Sequence, residues 1–271
     1  MRLANRPTKV YAGYVFDLDG TVYLGDSLLP HAAETILELR RRGSRVVYVT
    51  NKPLETAADY ARKLTRLGLA TERRDVVTSV DALVDYLERE HPRATVLAVA
   101  EQSTIDEILN AGFTVTTQPL RAEVVVVSFD RTFDYEKLNA AFQAVRYGGA
   151  VIVATNPDPY CPTPEGGIPD CAAMLAAVEA CSGSRAEAIV GKPSVHMARA
   201  LLGRLGMAAN DVAVVGDRLL TDIALARSLG MTGVLVLTGA TSAGSVDGAP
   251  VQPDFVIDSL GELVPEGPAH L

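Results

Sequence analysis

Asp17 and Asp19 are two carboxylates at a spacing that can do chemistry. The apolar run Tyr14, Val15, Phe16 precedes them and reads as the end of a buried strand. Side chains alternate along a strand, so groups at i and i+2 can point the same way where it ends. Gly20 then permits a sharp turn. Two acidic groups beside a core strand are costly unless a cation or dedicated hydrogen bonds hold them. Alone, the pair also reads as a solvated Asx turn, since Asp-Gly marks turns.

Three further groups bear on that choice. Thr50 and Asn51 follow the apolar run 45–49, Gly191-Lys192 follows 188–190, and Gly216-Asp217 follows 212–215, with Asp222 five residues later. Each run reads as a strand, and ligands of an open parallel sheet bind outside the carboxyl ends of its strands. Together these ends offer carboxylates for a hard divalent cation and for nucleophilic attack. They also offer a hydroxyl and amides for phosphate oxygens, and a lysine point charge. Magnesium takes one or two carboxylates plus waters and substrate oxygens. The inventory is what phosphoryl transfer through a carboxylate nucleophile requires. A Walker loop is excluded, because Lys192 is followed by Pro193 and the earlier glycine position is Ala186. No G-x-G-x-x-G follows the first strand, which speaks against a dinucleotide fold.

The elements that must position these groups alternate between strand-like and helix-like runs, the pattern of a parallel α/β sheet. Helices are expected over 31–42, from Pro53 to Gly68, from a Ser103 cap, from an Asp134 cap, around 170–180, from a Ser194 cap, and from about 219. The strands between them are expected at 45–49, 76–78, 94–100, 123–128, 150–154, 188–190, 212–215, 233–237 and 255–257. Residues 155–168 read as a loop without periodicity, with four prolines and two glycines. A loop of that length in a compact domain is commonly functional. The stretch 240–253 reads as a surface loop.

The chain has 271 residues, 48% hydrophobic and 21% charged, enough for two domains. A net charge of −8 without a basic stripe speaks against nucleic acid and against an anionic membrane surface. An acidic protein handling an anionic substrate needs local cationic help from a metal or a lysine. Cys161, Cys171 and Cys181 are odd in number and match no zinc spacing, which fits a reducing, cytoplasmic setting. The N-terminus has no apolar h-region, so no signal peptide is expected, and no apolar run approaches a membrane span.

The ordered set D-x-D-G-T (Asp17 to Thr21), strand-end Thr50, Lys192 and G-D-x-x-x-x-D (Gly216 to Asp222) resembles the haloacid dehalogenase (HAD) superfamily. The Leu18 to Gly25 segment, Thr50-Asn-Lys-Pro53, Ala154-Thr-Asn-Pro-Asp158, Gly191-Lys-Pro193 and Pro253 to Asp258 narrow the likeness to the p-nitrophenyl phosphatase/NagD-like subfamily. The resemblance implies a Rossmann-like parallel-sheet HAD core with an inserted α/β C2-type cap. The core is expected at 1–78 and 188–271 and the cap at 79–187. Spacing agrees independently: the stretch from Asp17 to Thr50 is too short for a domain, whereas that from Thr50 to Lys192 has room for one.

The resemblance further implies Asp17 as nucleophile and Asp19 as general acid/base. It places Asp17, the Asp19 carbonyl and Asp217 at magnesium with Asp222 supporting them, and Thr50, Asn51 and Lys192 on the phosphoryl group. The expected activity is magnesium-dependent hydrolysis of a small phosphorylated metabolite, such as a sugar phosphate, phosphoglycolate or p-nitrophenyl phosphate, through an aspartyl-phosphate. The alternatives are a phosphotransferase or phosphomutase, and a non-catalytic phosphometabolite-binding protein. Asn156, Asp158 and Tyr160 on the long loop are candidates for contacting the rest of the substrate. By analogy the protein is a homodimer through the cap.

Overall fold

The computed structural model describes residues 6–163 and 166–265. The N-terminal residues 1–5, where no signal peptide is expected, Pro164 and Glu165 of the expected loop, and residues 266–271 lie outside the described residues. The chain forms two compact units. The first takes 6–50, 57–77 and 192–265 of the described residues, and the second takes 51–56 and 78–191.

The first unit opens with β1 (Gly13–Asp17), a small ribbon of β2 (Tyr23–Leu24) and β3 (Ser27–Leu28), α1 (Ala32–Arg41) and β4 (Arg45–Thr50). After the excursion 51–56 come α2 (Ala57–Arg66) and β5 (Val76–Thr78). The second unit runs α3 (Ser79–Glu90), β6 (Thr95–Val99), α4 (Gln102–Asn110), β7 (Thr114–Val115), β8 (Val124–Val127), α5 (Tyr135–Arg146) and β9 (Val151–Ala154). It continues with β10 (Tyr160–Thr163), β11 (Gly166–Pro169), α6 (Cys171–Ser182) and β12 (Ala188–Ile189). The first unit then closes with α7 (Val195–Leu205), β13 (Val212–Gly216), α8 (Ala224–Ser228), β14 (Thr232–Val236) and β15 (Phe255–Ile257).

In the first unit six strands lie in the order β15-β14-β13-β1-β4-β5. Alternation along them sends Tyr14, Phe16, Val46, Tyr48, Ala213, Val215, Val234 and Val236 to one face. There they pack with Ile36 and Leu39 of α1 and Tyr60 and Leu64 of α2. Tyr14 stacks on Phe16 with ring centroids 5.9 Å apart. The register matters most for the site. Asp17 pairs with Val49 on one side, and Phe16 pairs with Val215 on the other, in parallel ladders. The carboxyl ends of β1, β4 and β13 are therefore level, and Asp17, Thr50 and Asp217 emerge at one edge.

The second unit holds a parallel sheet in the order β12-β9-β8-β6-β7, with an antiparallel ribbon of β10 and β11. Leu97, Val99, Val125, Val127, Ile152 and Ala154 form its core with α5 and α6.

Four expectations need correction. The strand at 188–190 belongs to the second sheet, where Ala188 pairs with Val153 and Ile189 with Ala154, so the change of unit falls after Gly191 and not at 188. A two-residue apolar strand carries no mark of which sheet it joins. The stretch 155–168 is not aperiodic: Tyr160 pairs with Pro169 and Cys161 with Ile168 in the β10–β11 ribbon. Prolines hide a strand from pattern reading, yet an edge strand tolerates them. The helix expected from Pro53 begins only at Ala57. Glu101, not Ser103, occupies the N-cap of α4. The caps expected at Asp134 and Ser194 do form, accepting from the Lys137 and Met197 N–H groups.

Candidate active site

Three buried carboxylates, Asp17, Asp217 and Asp222, meet at the carboxyl edge of the first sheet, each offering an oxygen within 4.8 Å of the others. Lys192 lies among them: its Nζ donates to Asp17 Oδ1 at 2.5 Å and to Asp222 Oδ1 at 2.8 Å. All four side chains are almost completely out of solvent. Lys192 thus belongs to the sheet edge, although the strand before it lies in the other unit.

The G-D-x-x-x-x-D spacing has a local cause. After Gly216 the chain enters a wide helical turn over Leu219–Ile223, in which the Ile223 N–H reaches back to the Arg218 carbonyl at 3.2 Å. This turn folds Asp222 onto Gly216 so closely that a Cβ there would sit 2.3 Å from the Asp222 Cβ. The Arg218 N–H donates to Asp222 Oδ2 at 3.0 Å. Both oxygens of Asp222 therefore have partners, and the group anchors Lys192.

Asp217 is held differently. The Ala240 N–H donates to its Oδ2 at 2.6 Å. Gly20 and Gly239 crowd it: a Cβ on Gly239 would lie 2.0 Å from Oδ2, and one on Gly20, whose φ is +85°, would lie 2.7 Å away. Its other oxygen, Oδ1, is buried and has no hydrogen-bond partner among the described residues. Thr21 Oγ1 stands 3.4 Å from Asp17 Oδ2, and Thr238 Oγ1 donates to the Gly20 carbonyl at 2.8 Å. Thr238, Gly239 and Ala240 escaped sequence reading, since the Ala/Gly/Ser-rich run that begins at 240 resembles any surface loop. A helpful signal was their place directly after the end of β14.

The electrostatics match this picture. Burial pushes the Asp17 carboxyl well above the usual range, against the pull of Lys192, while Asp222 and Asp217 push it further. Burial, and then Asp222, also raise Asp217. Burial alone would lower Lys192, but Asp17 and Asp222 outweigh it and keep the ammonium charged. Three carboxylates against one ammonium leave a deficit of positive charge. The buried Asp217 Oδ1, without a hydrogen-bond partner among the described residues, is a donor suited to a hard cation, so the residues present fit a divalent metal.

Asp19 is exposed and its carboxylate stands outside the three-carboxylate cluster. Its side chain is therefore not one of the clustered groups and is open to solvent. Thr50 is buried at the end of β4.

The remaining expected residues lie in the second unit, where Asn51, Asn156 and Asp158 come together. Asn51 Nδ2 donates to Asp158 Oδ2 at 2.9 Å, so the side-chain amide expected on the phosphoryl group already has a carboxylate partner. Asn156 is fully buried: its Nδ2 faces the Asn51 carbonyl at 3.3 Å and Asp170 Oδ1 at 3.4 Å, and its Oδ1 accepts the Asp158 N–H at 2.9 Å. The Asn156 side chain thus has partners at both its nitrogen and its oxygen within the second unit. Tyr160, at the start of the ribbon, is 56% exposed.

The sequence matches the haloacid dehalogenase-like hydrolase family over residues 14–114 and a HAD-hydrolase-like family over 189–263. It is 36% identical over 252 residues to the sugar-phosphatase AraL of Bacillus subtilis, covering 93% of this chain and 92% of that protein. The 4-nitrophenylphosphatase of Thermotoga maritima superposes with a TM-score of 0.88 at 34% identity, covering 93% of this chain and 96% of that one. A glycerol phosphate phosphatase from Mycobacterium tuberculosis, in complex with magnesium, gives 0.86 at 31% identity over 96% of this chain and 78% of its own. The four ordered motifs, the parallel α/β core and these likenesses agree, and the chain belongs to the haloacid dehalogenase-like hydrolases, in their p-nitrophenyl phosphatase/NagD-like branch, as a phosphatase.

Proposed function

We infer that the protein is a magnesium-dependent phosphatase of small phosphorylated metabolites, working through a phosphoryl group carried on Asp17. The observation that carries this reading is the Asp17–Lys192–Asp222 arrangement together with Asp217 Oδ1, which has no hydrogen-bond partner among the described residues. Asp17 and Asp217 would hold the magnesium ion, which when bound supplies positive charge to the phosphate oxygens and keeps both buried carboxylates ionised. Lys192 favours the charged, nucleophilic form of Asp17 and would stabilise the negative charge on the phosphoryl oxygens.

In the first step an Asp17 oxygen bonds to phosphorus and the ester P–O bond breaks. Asp19, exposed to solvent, gives its proton to the leaving alkoxide. In the second step Asp19 takes a proton from water, the hydroxyl oxygen bonds to phosphorus, and the Asp17–phosphorus bond breaks to release inorganic phosphate. Thr50 and the Asn51 peptide bind phosphoryl oxygens. The first unit serves as the catalytic core and the second as the cap that selects substrates. Tyr160, exposed on the β10–β11 ribbon, would be the cap residue that contacts the alcohol part of the substrate. The relatives' names, a sugar phosphatase and a glycerol phosphate phosphatase, favour a sugar or polyol phosphate. A cytoplasmic homodimer joined through the second unit accompanies this reading.

The test is phosphate release from p-nitrophenyl phosphate and a panel of sugar and polyol phosphates, with EDTA and with magnesium. Asp17→Asn should lose nearly all turnover while staying folded. Turnover above about a tenth of wild type, less than ~1.4 kcal/mol of barrier, or full activity in metal-free buffer, overturns it.

A further inference from the structure

The chain passes between its units at 50/51, 56/57, 77/78 and 191/192. Inside the second unit, three of these passages converge on one residue, Asn51. Ser79 Oγ donates to the Asn51 carbonyl at 2.8 Å, and Asn156 Nδ2 approaches the same oxygen at 3.3 Å. The Asn51 side chain donates to Asp158 at 2.9 Å. Gly191 packs so tightly here that a Cβ on it would lie 2.4 Å from the Thr155 carbonyl and 2.7 Å from Asn51 Oδ1.

Asn51 is therefore held at its backbone and at its side chain by residues 28, 105 and 107 positions away. Both lone pairs of its carbonyl are engaged. The clamp is itself braced. Asn156 accepts the Asp158 N–H, and Asp170, which caps α6 through the Cys171 N–H at 2.6 Å, lies 3.4 Å from Asn156 Nδ2. Ser79 and Asn156 have no exposed surface at all. None of this geometry depends on what alcohol a substrate carries.

We propose that Ser79, Asn156 and Asp158 are positioning residues that fix the Asn51 peptide, and with it the phosphoryl-binding end of β4 at Thr50, rather than residues that read the substrate. This rests on the phosphatase reading for its catalytic consequence. The anchoring itself can be judged without activity. A phosphoryl-binding peptide displaced by an ångström costs on the order of 10²-fold in rate, and it costs every phosphate ester alike.

The experiment compares Ser79→Ala, Asn156→Ala, Asp158→Ala and Asp158→Asn with wild type by three readouts. These are amide hydrogen exchange of peptides spanning residues 50–56, calorimetric affinity for inorganic phosphate with magnesium present, and kcat and KM for acetyl phosphate, p-nitrophenyl phosphate and a sugar phosphate. The first three variants should exchange faster at 50–56 and bind phosphate more weakly. They should lose kcat/KM by one common factor, roughly tenfold or more, for all three substrates. Asp158→Asn keeps an acceptor for Asn51 and should restore most of each loss. Losses graded by the leaving group, with phosphate affinity unchanged, would assign Asp158 to substrate reading and overturn the proposal. So would unchanged exchange at 50–56 in every variant. Should Asn156→Ala fail to fold, Ser79→Ala and the Asp158 pair decide the matter, since they open little space. If wild type releases no phosphate from any ester, the phosphatase reading falls, and exchange and phosphate binding still decide the anchoring.

Discussion

Lys192 and Asp17 form a buried ion pair, Nζ to Oδ1 at 2.5 Å, between residues 175 positions apart in the chain. The lysine also holds Asp222, so one ammonium serves two buried carboxylates, and its charge opposes the burial that raises Asp17. Removing one partner of a buried pair is far more damaging than exchanging both for apolar groups.

Lys192→Met should destabilise the metal-free protein by about 3–5 kcal/mol at pH 8. The sign of the pH dependence follows from Asp17. Its folded pKa already stands well above 3.8, and it rises further without the ammonium. The folded variant then binds more protons than the unfolded chain as pH falls toward that raised value, so the variant regains stability in acid. Urea melts at pH 8 and pH 5.5 should show the gap to wild type narrowing at the lower pH. A gap independent of pH would mean that lost packing, not lost charge, is the cause.

Gly239→Ala would place a Cβ 2.0 Å from Asp217 Oδ2, so the carboxylate must move. We expect the magnesium concentration for half-maximal phosphate release to rise at least ~tenfold, with a smaller magnesium-induced rise in Tm. Gly244→Ala, where a Cβ meets nothing within 4 Å, is the control and should leave both unchanged. Equal behaviour of the two variants would remove Asp217 from the metal site.

Asp170 is raised above 3.8, first by burial and then by Asp158, although the Cys171 N–H partly offsets this. A carboxyl with a raised folded pKa binds more protons folded than unfolded. Its contribution to stability therefore declines as pH climbs from about 3.8 to the raised value. Asp170→Asn keeps the capping acceptor and should remove that decline, matching or exceeding wild-type stability at pH 7 and losing the advantage near pH 4. Parallel stability curves for the two proteins across that range would contradict the assignment.

Thr104 Oγ1, on the first turn of α4, is buried without a hydrogen-bond partner among the described residues. Thr104→Val keeps the shape and removes the unsatisfied hydroxyl. It should raise stability by about 1 kcal/mol, measured by urea denaturation with unchanged m-value. Destabilisation would point to a partner for that hydroxyl.

Groups whose relationship is written within a few residues were readable from the sequence. Asp217 and Asp222 are joined by a single wide turn, and Asp17 ends an unmistakably apolar strand. The apolar run before Lys192 is legible as a strand, but the sheet it joins is not, because pairing of Ala188 with Val153 is a tertiary fact that two residues cannot announce. The β10–β11 ribbon was concealed by its own prolines and glycines. Asn51 illustrates the harder limit: its neighbours in sequence suggest a phosphate ligand, while its side-chain partner, Asp158, is 107 positions away. The backbone hold of Ala240 on Asp217 has no side-chain signature at all.

The second unit draws on two separate pieces of sequence, 51–56 and 78–191, with α2 and β5 returned to the first unit between them. It is therefore not a single cassette. A chimera that imports a relative's 78–191 alone would inherit foreign counterparts of Ser79, Asn156 and Asp158 around a native Asn51. Exchanging this unit for a relative's calls for a two-part graft, with the short hexapeptide travelling alongside the long segment.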